Sequence, residues 1–192
     1  MFRRDLLRVA ALGVALSAST FGAAQAAENP DLVLQIGGTH PGKVVIQLFA
    51  DTAPEHAKRI AQLANDHAYD GVVFHRVIDG FMAQTGDVQF GKRDGDTSMA
   101  GMGGSTYPDL KAEFSDKPFG RGTVGMARSS SPDSANSQFF IMFAPAPHLN
   151  GQYTAIGQVT EGMDVVDAIK KGDSGRNGLV AEPDYILSAT IE

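Results

Sequence analysis

The 192-residue chain contains no cysteine and no tryptophan. Because it has no thiol, it can form no disulfide, no thiolate metal site and no cysteine nucleophile. Its one long apolar stretch, residues 9–18, is shorter than the roughly 20 residues that a transmembrane helix needs. We therefore expect no stable insertion into a membrane.

Basic residues are scarce relative to acidic ones. The chain has 16 Lys and Arg against 22 Asp and Glu, a net charge of −6. Nucleic acids need a basic face for their phosphates, so this balance argues against nucleic-acid binding. The five histidines are scattered, without the spacing of a metal site. We expect neither a metal nor another cofactor.

The first 26 residues have the pattern of a cleavable signal peptide. Arg3, Arg4 and Arg8 precede the apolar stretch, and Ala24-Gln25-Ala26 fits a signal-peptidase site. Cleavage after Ala26 would leave residues 27–192 as one domain, with 13 of the 16 basic and 21 of the 22 acidic residues. The arginine pair fits both a twin-arginine signal and a general export signal, so the export route stays open.

Eight β-rich segments, separated by clusters of Gly, Pro, Ser or Asn, predict eight strands. They are residues 32–36, 43–49, 72–77, 81–85, 123–128, 138–143, 154–159 and 185–191. Thr52-Ala53-Pro54-Glu55 has a capping-box pattern at the start of one helix, and residues 163–170 predict a second. Residues 86–107 are Gly-rich and polar, which predicts a long surface loop.

Many short strands with two isolated helices indicate an all-β protein, most simply a closed antiparallel barrel with helices over its ends. Closure would remove the exposed edges that invite aggregation. Pattern alone does not distinguish a barrel from a sandwich.

Two segments carry most of the functional information. The first has Phe-His-Arg at 74–76, Gly-Phe-Met at 80–82, then Gln84 and Gly-Asp at 86–87; the second is Ser-Gln-Phe-Phe-Ile at 137–141. One arginine beside apolar side chains and a neutral amide suits a reaction that makes and breaks no covalent bond. Both segments, in this order, resemble the signature segments of the cyclophilins, the peptidyl-prolyl cis/trans isomerases.

The resemblance covers residues 27–192 and implies a closed eight-stranded antiparallel β-barrel capped by two α-helices. It implies that Arg76 is the catalytic arginine and that Gln84 meets the substrate backbone. The implied substrate-binding residues are Phe81, Met82, Ala127, Arg128, Gln138, Phe140, His148, Leu149 and Tyr153.

Three of these positions depart from the common family pattern. His148 replaces the tryptophan that eukaryotic members use against cyclosporin, so we expect weak cyclosporin binding. Tyr153 stands where many members have a histidine, and its ring and hydroxyl are compatible with proline binding. Arg128 replaces a common asparagine, so the resemblance implies a contact from the backbone of this residue to the substrate and does not define the role of its side chain.

The resemblance implies a monomeric prolyl isomerase that acts on proline-containing peptides and on unfolded or exported proteins. Together with the signal-peptide pattern, it predicts a periplasmic enzyme that assists folding, because X–Pro isomerisation can limit the folding rate. Two alternatives remain at this stage. The domain could be a non-catalytic proline-binding or holdase module. A barrel that binds a small ligand in its lumen fits less well, because large inward residues should fill so small a barrel.

Overall fold

The computed structural model describes residues 29–192, so the predicted signal peptide lies outside the described residues. The strands are β1 Asp31–Gly37, β2 Gly42–Leu48, β3 Arg76–Ile78, β4 Met82–Thr85, β5 Thr123–Met126, β6 Phe139–Met142, β7 Ala155–Glu161 and β8 Tyr185–Ile191. The helices are α1 Pro54–Asn65 and α2 Met163–Ala168, and two short 3₁₀ turns span Pro147–Leu149 and Ser174–Arg176. The eight predicted strands and two predicted helices are therefore confirmed, with shifted ends.

All eight strands form one antiparallel sheet in the order β3-β4-β6-β5-β7-β2-β1-β8. The predicted closed barrel is wrong, because the sheet is an open, strongly curled half-barrel with β3 and β8 at its two ends. Between these two ends of the sheet, one isolated bridge from Val73 to Tyr185 joins the segment just before β3 to β8. The predicted strand 72–77 explains the difference: only its last two residues belong to β3, so no continuous ladder can close the sheet.

The two faces of the sheet carry different apolar clusters. Side chains alternate along a strand, so Phe139 and Ile141 of β6 enter the main core while Phe140 and Met142 enter a smaller cluster on the other face. Ala83 and Met82 of β4 divide in the same way. The main core lies on the concave side, and the smaller cluster forms the floor of the groove described below.

The first helix begins differently from the predicted capping box. Its N-cap is Ala53, and no side chain of the segment caps it. The carboxylate of Glu113 does so instead, accepting hydrogen bonds from the backbone N–H of Glu55 at 3.2 Å and of His56 at 3.1 Å. Apolar residues of α1, including Ile60 and Leu63, are buried against the sheet near β8, while α2 packs against β2.

The predicted loop at 86–107 contains no strand or helix, as expected, but a buried carboxylate anchors it. Asp87 is fully buried and accepts four backbone N–H bonds, from Gln89 (3.1 Å), Phe90 (2.9 Å), Gly101 (2.7 Å) and Gly103 (2.9 Å). These bonds fix the tip of the loop beside the end of β4. Within residues 29–192, neither helix is long and apolar enough to cross a membrane.

Candidate active site

A row of side chains crosses three neighbouring strands on the groove face of the sheet. Arg76 of β3 pairs in register with Gln84 of β4, and Gln84 pairs with Phe140 of β6. Strand pairing therefore brings together residues that are up to 64 positions apart in the chain (140 − 76). The Nη1 group of Arg76 donates to Oε1 of Gln84 at 3.2 Å, so the predicted catalytic pair is in direct contact.

The outer edge of the Arg76 guanidinium is held by Asn177. Nε of Arg76 donates to the Asn177 carbonyl at 3.1 Å, and Nη2 donates to its side-chain Oδ1 at 3.0 Å. Asn177 has a left-handed backbone with φ 54°. Asn177 was not predicted as a site residue, because Asn177-Gly178 indicates only a turn. Without the fold, nothing connects that turn to an arginine 101 residues away.

Three of the five N–H groups of Arg76 thus donate to oxygen atoms. One N–H on each terminal nitrogen has no oxygen acceptor within residues 29–192, and Nη1 lies 4.0 Å from the Met82 sulfur at the pocket wall. Burial lowers the pKa of Arg76 from its ordinary value, although a guanidinium remains charged at any physiological pH. The site therefore holds a fixed cation with donors available.

Gln84 and Gln138 extend this hydrogen-bond network toward the loop. Nε2 of Gln84 donates to Oε1 of Gln138 at 3.0 Å. Nε2 of Gln138 in turn donates to the carbonyl oxygens of Gly101 at 3.0 Å and Gly103 at 2.8 Å. A continuous chain of donors therefore links Arg76 to the loop that Asp87 anchors.

Beside Arg76 lies a cavity of about 490 Å³, lined by seven apolar or aromatic residues and by four polar ones, two arginines and two glutamines. The Phe140 ring on its floor meets Tyr153 edge-on at 5.8 Å between centroids, and Phe81 stacks on His148 at 6.0 Å. Of the predicted site residues, those lining this cavity are Arg76, Phe81, Met82, Gln84, Ala127, Arg128, Phe140, His148, Leu149 and Tyr153.

The remaining predicted residue, Gln138, lines an adjoining cavity of about 340 Å³. Gln84, Ala127 and Arg128 line both cavities, so the two form one continuous groove. The Arg128 guanidinium lies over the Tyr153 ring at 4.4 Å from its centroid. All eleven predicted site residues therefore lie in this groove.

Two residues that support the floor were not predicted. The Phe119 ring stacks on Phe140 at 5.9 Å between centroids. Gly125 is the β5 neighbour of Phe140, and a Cβ at this position would lie 2.6 Å from both rings. Glycine therefore leaves the space that the stacked rings occupy. A glycine inside a predicted strand is a sequence signal for close approach, but it does not identify the partner.

His75 lies beside the site, where it lines a further cavity together with Arg76 and Gln84. It is buried, and neither ring nitrogen has a hydrogen-bond partner within residues 29–192. Burial lowers its pKa to about 4, partly offset by the charge of Asp87. His75 is therefore neutral at physiological pH. Across residues 29–192, no group of three or more His, Asp or Glu is placed to hold a metal ion.

Comparison with known proteins identifies the family of this chain. The family model described as cyclophilin type peptidyl-prolyl cis-trans isomerase/CLD matches residues 32–191. A probable peptidyl-prolyl cis-trans isomerase of Brucella suis biovar 1 (strain 1330) is 55% identical over 193 residues, covering 100% of this chain and 97% of that protein. A peptidyl-prolyl cis-trans isomerase of Helicobacter pylori (strain ATCC 700392 / 26695) is 37% identical over 139 residues, covering 70% of this chain and 78% of that protein.

Among solved structures, a cyclophilin type isomerase of Cryptosporidium parvum, crystallised in the presence of the dipeptide Ala-Pro, matches with a TM-score of 0.71. The match covers 84% of this chain and 98% of that one at 24% identity, so it establishes the fold alone. The family model and the two relatives each span more than two thirds of the chain. The chain belongs to the family of cyclophilin-type peptidyl-prolyl cis-trans isomerases.

Proposed function

We propose that this chain catalyses cis/trans rotation about X–Pro peptide bonds, with Arg76 stabilising the twisted transition state. Family membership and the names of its relatives support the reaction. The observation that carries the mechanism is the position of Arg76, a cation fixed beside the apolar side chains of the cavity, with N–H groups that lack an oxygen acceptor within residues 29–192.

The barrier to this rotation is an electronic one. The nitrogen lone pair of a planar amide is delocalised into the carbonyl, and rotation costs about 18–20 kcal/mol. At the twisted geometry the delocalisation is lost, so the proline nitrogen can accept a hydrogen bond. A donor aimed at that nitrogen binds the twisted state better than the planar one, which is the requirement for catalysis.

The residues around Arg76 suit this role. Asn177 and Gln84 hold the guanidinium on both sides, so little reorganisation is needed when the lone pair develops. Phe81, Met82 and Phe140 provide an apolar wall that fits a proline ring and keeps water from competing. The C. parvum protein that shares this fold was crystallised in the presence of Ala-Pro, a peptide of this chemistry.

The test is the cis-to-trans rate of an Ala-Pro peptide with purified residues 27–192 and with Arg76→Ala. We expect the substitution to lower kcat/KM about a hundredfold, as when one preorganised donor is removed elsewhere. Arg76→Lys is the matched variant: it keeps the charge but loses the fork that meets Asn177 and Gln84, so it should recover little. An Arg76→Ala rate near wild type would contradict the mechanism.

The same variant separates catalysis from a holdase role. A module that only binds unfolded chains would assist refolding equally well with Arg76→Ala, whereas an isomerase would lose its effect on proline-limited phases. Export to the periplasm, folding of exported proteins there, a monomeric state and weak cyclosporin binding also remain proposals. N-terminal sequencing of the protein recovered from the periplasm would test export, with Ala27 as the expected first residue.

A further inference from the structure

The groove carries positive charge and no negative charge, although the chain as a whole is acidic, with a net charge of −6. Arg76 and Arg128 line the proline cavity, and Arg128 also lines the adjoining one. A third cavity of about 360 Å³ shares Arg76 and Gln84 with the groove and adds Arg176. Within residues 29–192, no Asp or Glu lines any of the three.

These three arginines also lack ion-pair partners. In residues 29–192, no carboxylate oxygen lies within 4.0 Å of Arg76, Arg128 or Arg176. Arg128 donates to neutral carbonyls instead, those of Ser129 at 2.9 Å and Gln152 at 3.0 Å.

Of the three other arginines in residues 29–192, two form ion pairs, whereas the buried Arg59 donates to the carbonyl oxygen of Pro108 at 2.9 Å. Arg93 pairs with Asp94 at 3.2 Å, and Arg121 pairs with Asp167 at 2.6 Å. Their charges are neutralised locally, whereas the three groove charges are left for a ligand.

The acidic residues nearest in sequence to these arginines do not pair with them; Asp133, which is five residues from Arg128, accepts from the Ala112 N–H at 2.9 Å. Asp87 is fully buried, and four backbone N–H groups surround its carboxylate. The exposed Asp79 lies on the β3–β4 turn and lines none of the cavities. Asp173 accepts from the Gly175 N–H at 2.8 Å within its own turn.

We propose that Arg128 and Arg176 make this enzyme prefer X–Pro bonds with an acidic side chain within two residues of the proline. Arg128 is the main determinant, because a peptide that extends from the proline cavity into the adjoining one must pass it. Arg176 is exposed and acts from the side of the third cavity. This preference deepens the proposed isomerase function and rests on it.

The expected effect is modest, because Arg176 is exposed and Arg128 is only partly buried. Exposed ion pairs are weak, which corresponds to a gain of about two- to fivefold in kcat/KM for an acidic over a neutral isosteric peptide. Salt screens such pairs, so the preference should be largest at low ionic strength and nearly absent at about 1 M salt.

The experiment compares Glu, Gln and Lys, placed either directly before proline or one residue earlier in an otherwise constant peptide. The quantity of interest is the ratio of kcat/KM for Glu to that for Gln, since these side chains differ in charge and little in shape. Arg128→Gln and Arg176→Gln test the two determinants. Arg93→Gln is the matched control, with the same charge change at an arginine that lines none of the three cavities.

We expect Glu to exceed Gln and Gln to exceed Lys in at least one position. Arg128→Gln should bring the Glu-to-Gln ratio close to one, Arg176→Gln should lower it less, and Arg93→Gln should leave it unchanged. Equal rates for Glu and Gln at low salt would overturn the proposal, as would a preference that survives in the Arg128→Gln, Arg176→Gln double variant.

If the chain is not an isomerase, the same experiment gives a different result. In that case no peptide of the series, including the neutral ones, would be turned over by the wild type. The dissociation constants of the Glu and Gln peptides, measured by NMR titration, would then replace the rates. Tighter binding of the Glu peptide that depends on Arg128 would support the charge preference, and equal binding would overturn it.

Discussion

The two faces of the curled sheet differ in what they demand of the sequence. On the concave face, Phe139 and Ile141 of β6 are completely buried in one large apolar core. On the groove face, Phe140 of the same strand lies in a smaller apolar cluster next to the polar row of Arg76 and Gln84. Side-chain alternation thus assigns consecutive residues to different tasks, the concave face to stability and the groove face to binding.

A second contrast separates His75 from Arg76. His75 is buried without a polar partner in the described part of the chain, whereas the half-buried Arg76 donates to three oxygen acceptors. If the concave face serves stability and the groove face serves binding, substitutions of neighbouring residues should have separable effects on stability and on catalysis.

The largest expected effect is on the concave face. Phe139 is fully buried and meets the Tyr69 ring edge-on at 5.6 Å between centroids. Phe139→Ala should lower the free energy of unfolding by about 3–5 kcal/mol, because it leaves a large cavity in a packed core. Urea denaturation gives this value, and kcat/KM per folded molecule should stay near wild type.

The matched variant is Phe140→Ala, one residue further along β6. It removes the floor of the proline cavity, so it should raise KM for an Ala-Pro peptide and cost less stability than Phe139→Ala. Identical profiles for the two variants would remove the distinction between the faces.

The next effect in size is the pH dependence of stability. Burial lowers the pKa of His75 to about 4 in the folded protein, against about 6.5 when unfolded. The unfolded chain therefore binds the proton more tightly, and stability falls as the pH drops from about 6.5 to about 4. The shift corresponds to about 3 kcal/mol from this one residue.

His75→Leu should flatten that part of the curve, because leucine has no proton to bind. Denaturation midpoints between pH 7 and pH 4 measure the difference. Some acid sensitivity should remain, because burial also lowers the pKa of His56. Parallel curves for wild type and His75→Leu would show that His75 does not contribute to the pH dependence in this way.

The sequence predicted the parts of this molecule that depend on local pattern or on family motifs. Strand alternation and turn clusters located all eight strands, the two motif segments located six of the eleven groove residues, and the family resemblance supplied the other five. The open sheet was not predictable in this way, because closure depends on whether residues 72–75 continue a ladder to β8. The local β propensity of residues 72–75 is the same whether the sheet closes or stays open.

Contacts distant in sequence were missed for the same reason. Glu113 caps α1 from 57 residues away, in place of the predicted Thr52. Asn177 reaches Arg76 across 101 residues. Each residue has an ordinary local role in its own segment, and only the folded chain brings it to its partner.

The smallest expected effect is on kcat, from substitution of Asn177, which holds Arg76 on the groove face. Asn177→Gly keeps the left-handed backbone and the carbonyl that accepts from Nε of Arg76, but removes the Oδ1 that accepts from Nη2. An exposed hydrogen bond of this type contributes about 1 kcal/mol, so kcat should fall about fivefold with little change in KM.

The aspartate variant shows whether Asn177 positions Arg76 or only supports the turn. Asn177→Asp restores an oxygen acceptor for Nη2, so kcat should return to within about twofold of wild type, a difference of under about 0.5 kcal/mol. If the turn alone mattered, the two variants would differ in melting temperature and not in kcat. A glycine variant as fast as wild type would mean that Gln84 and the Asn177 carbonyl are sufficient to hold the guanidinium.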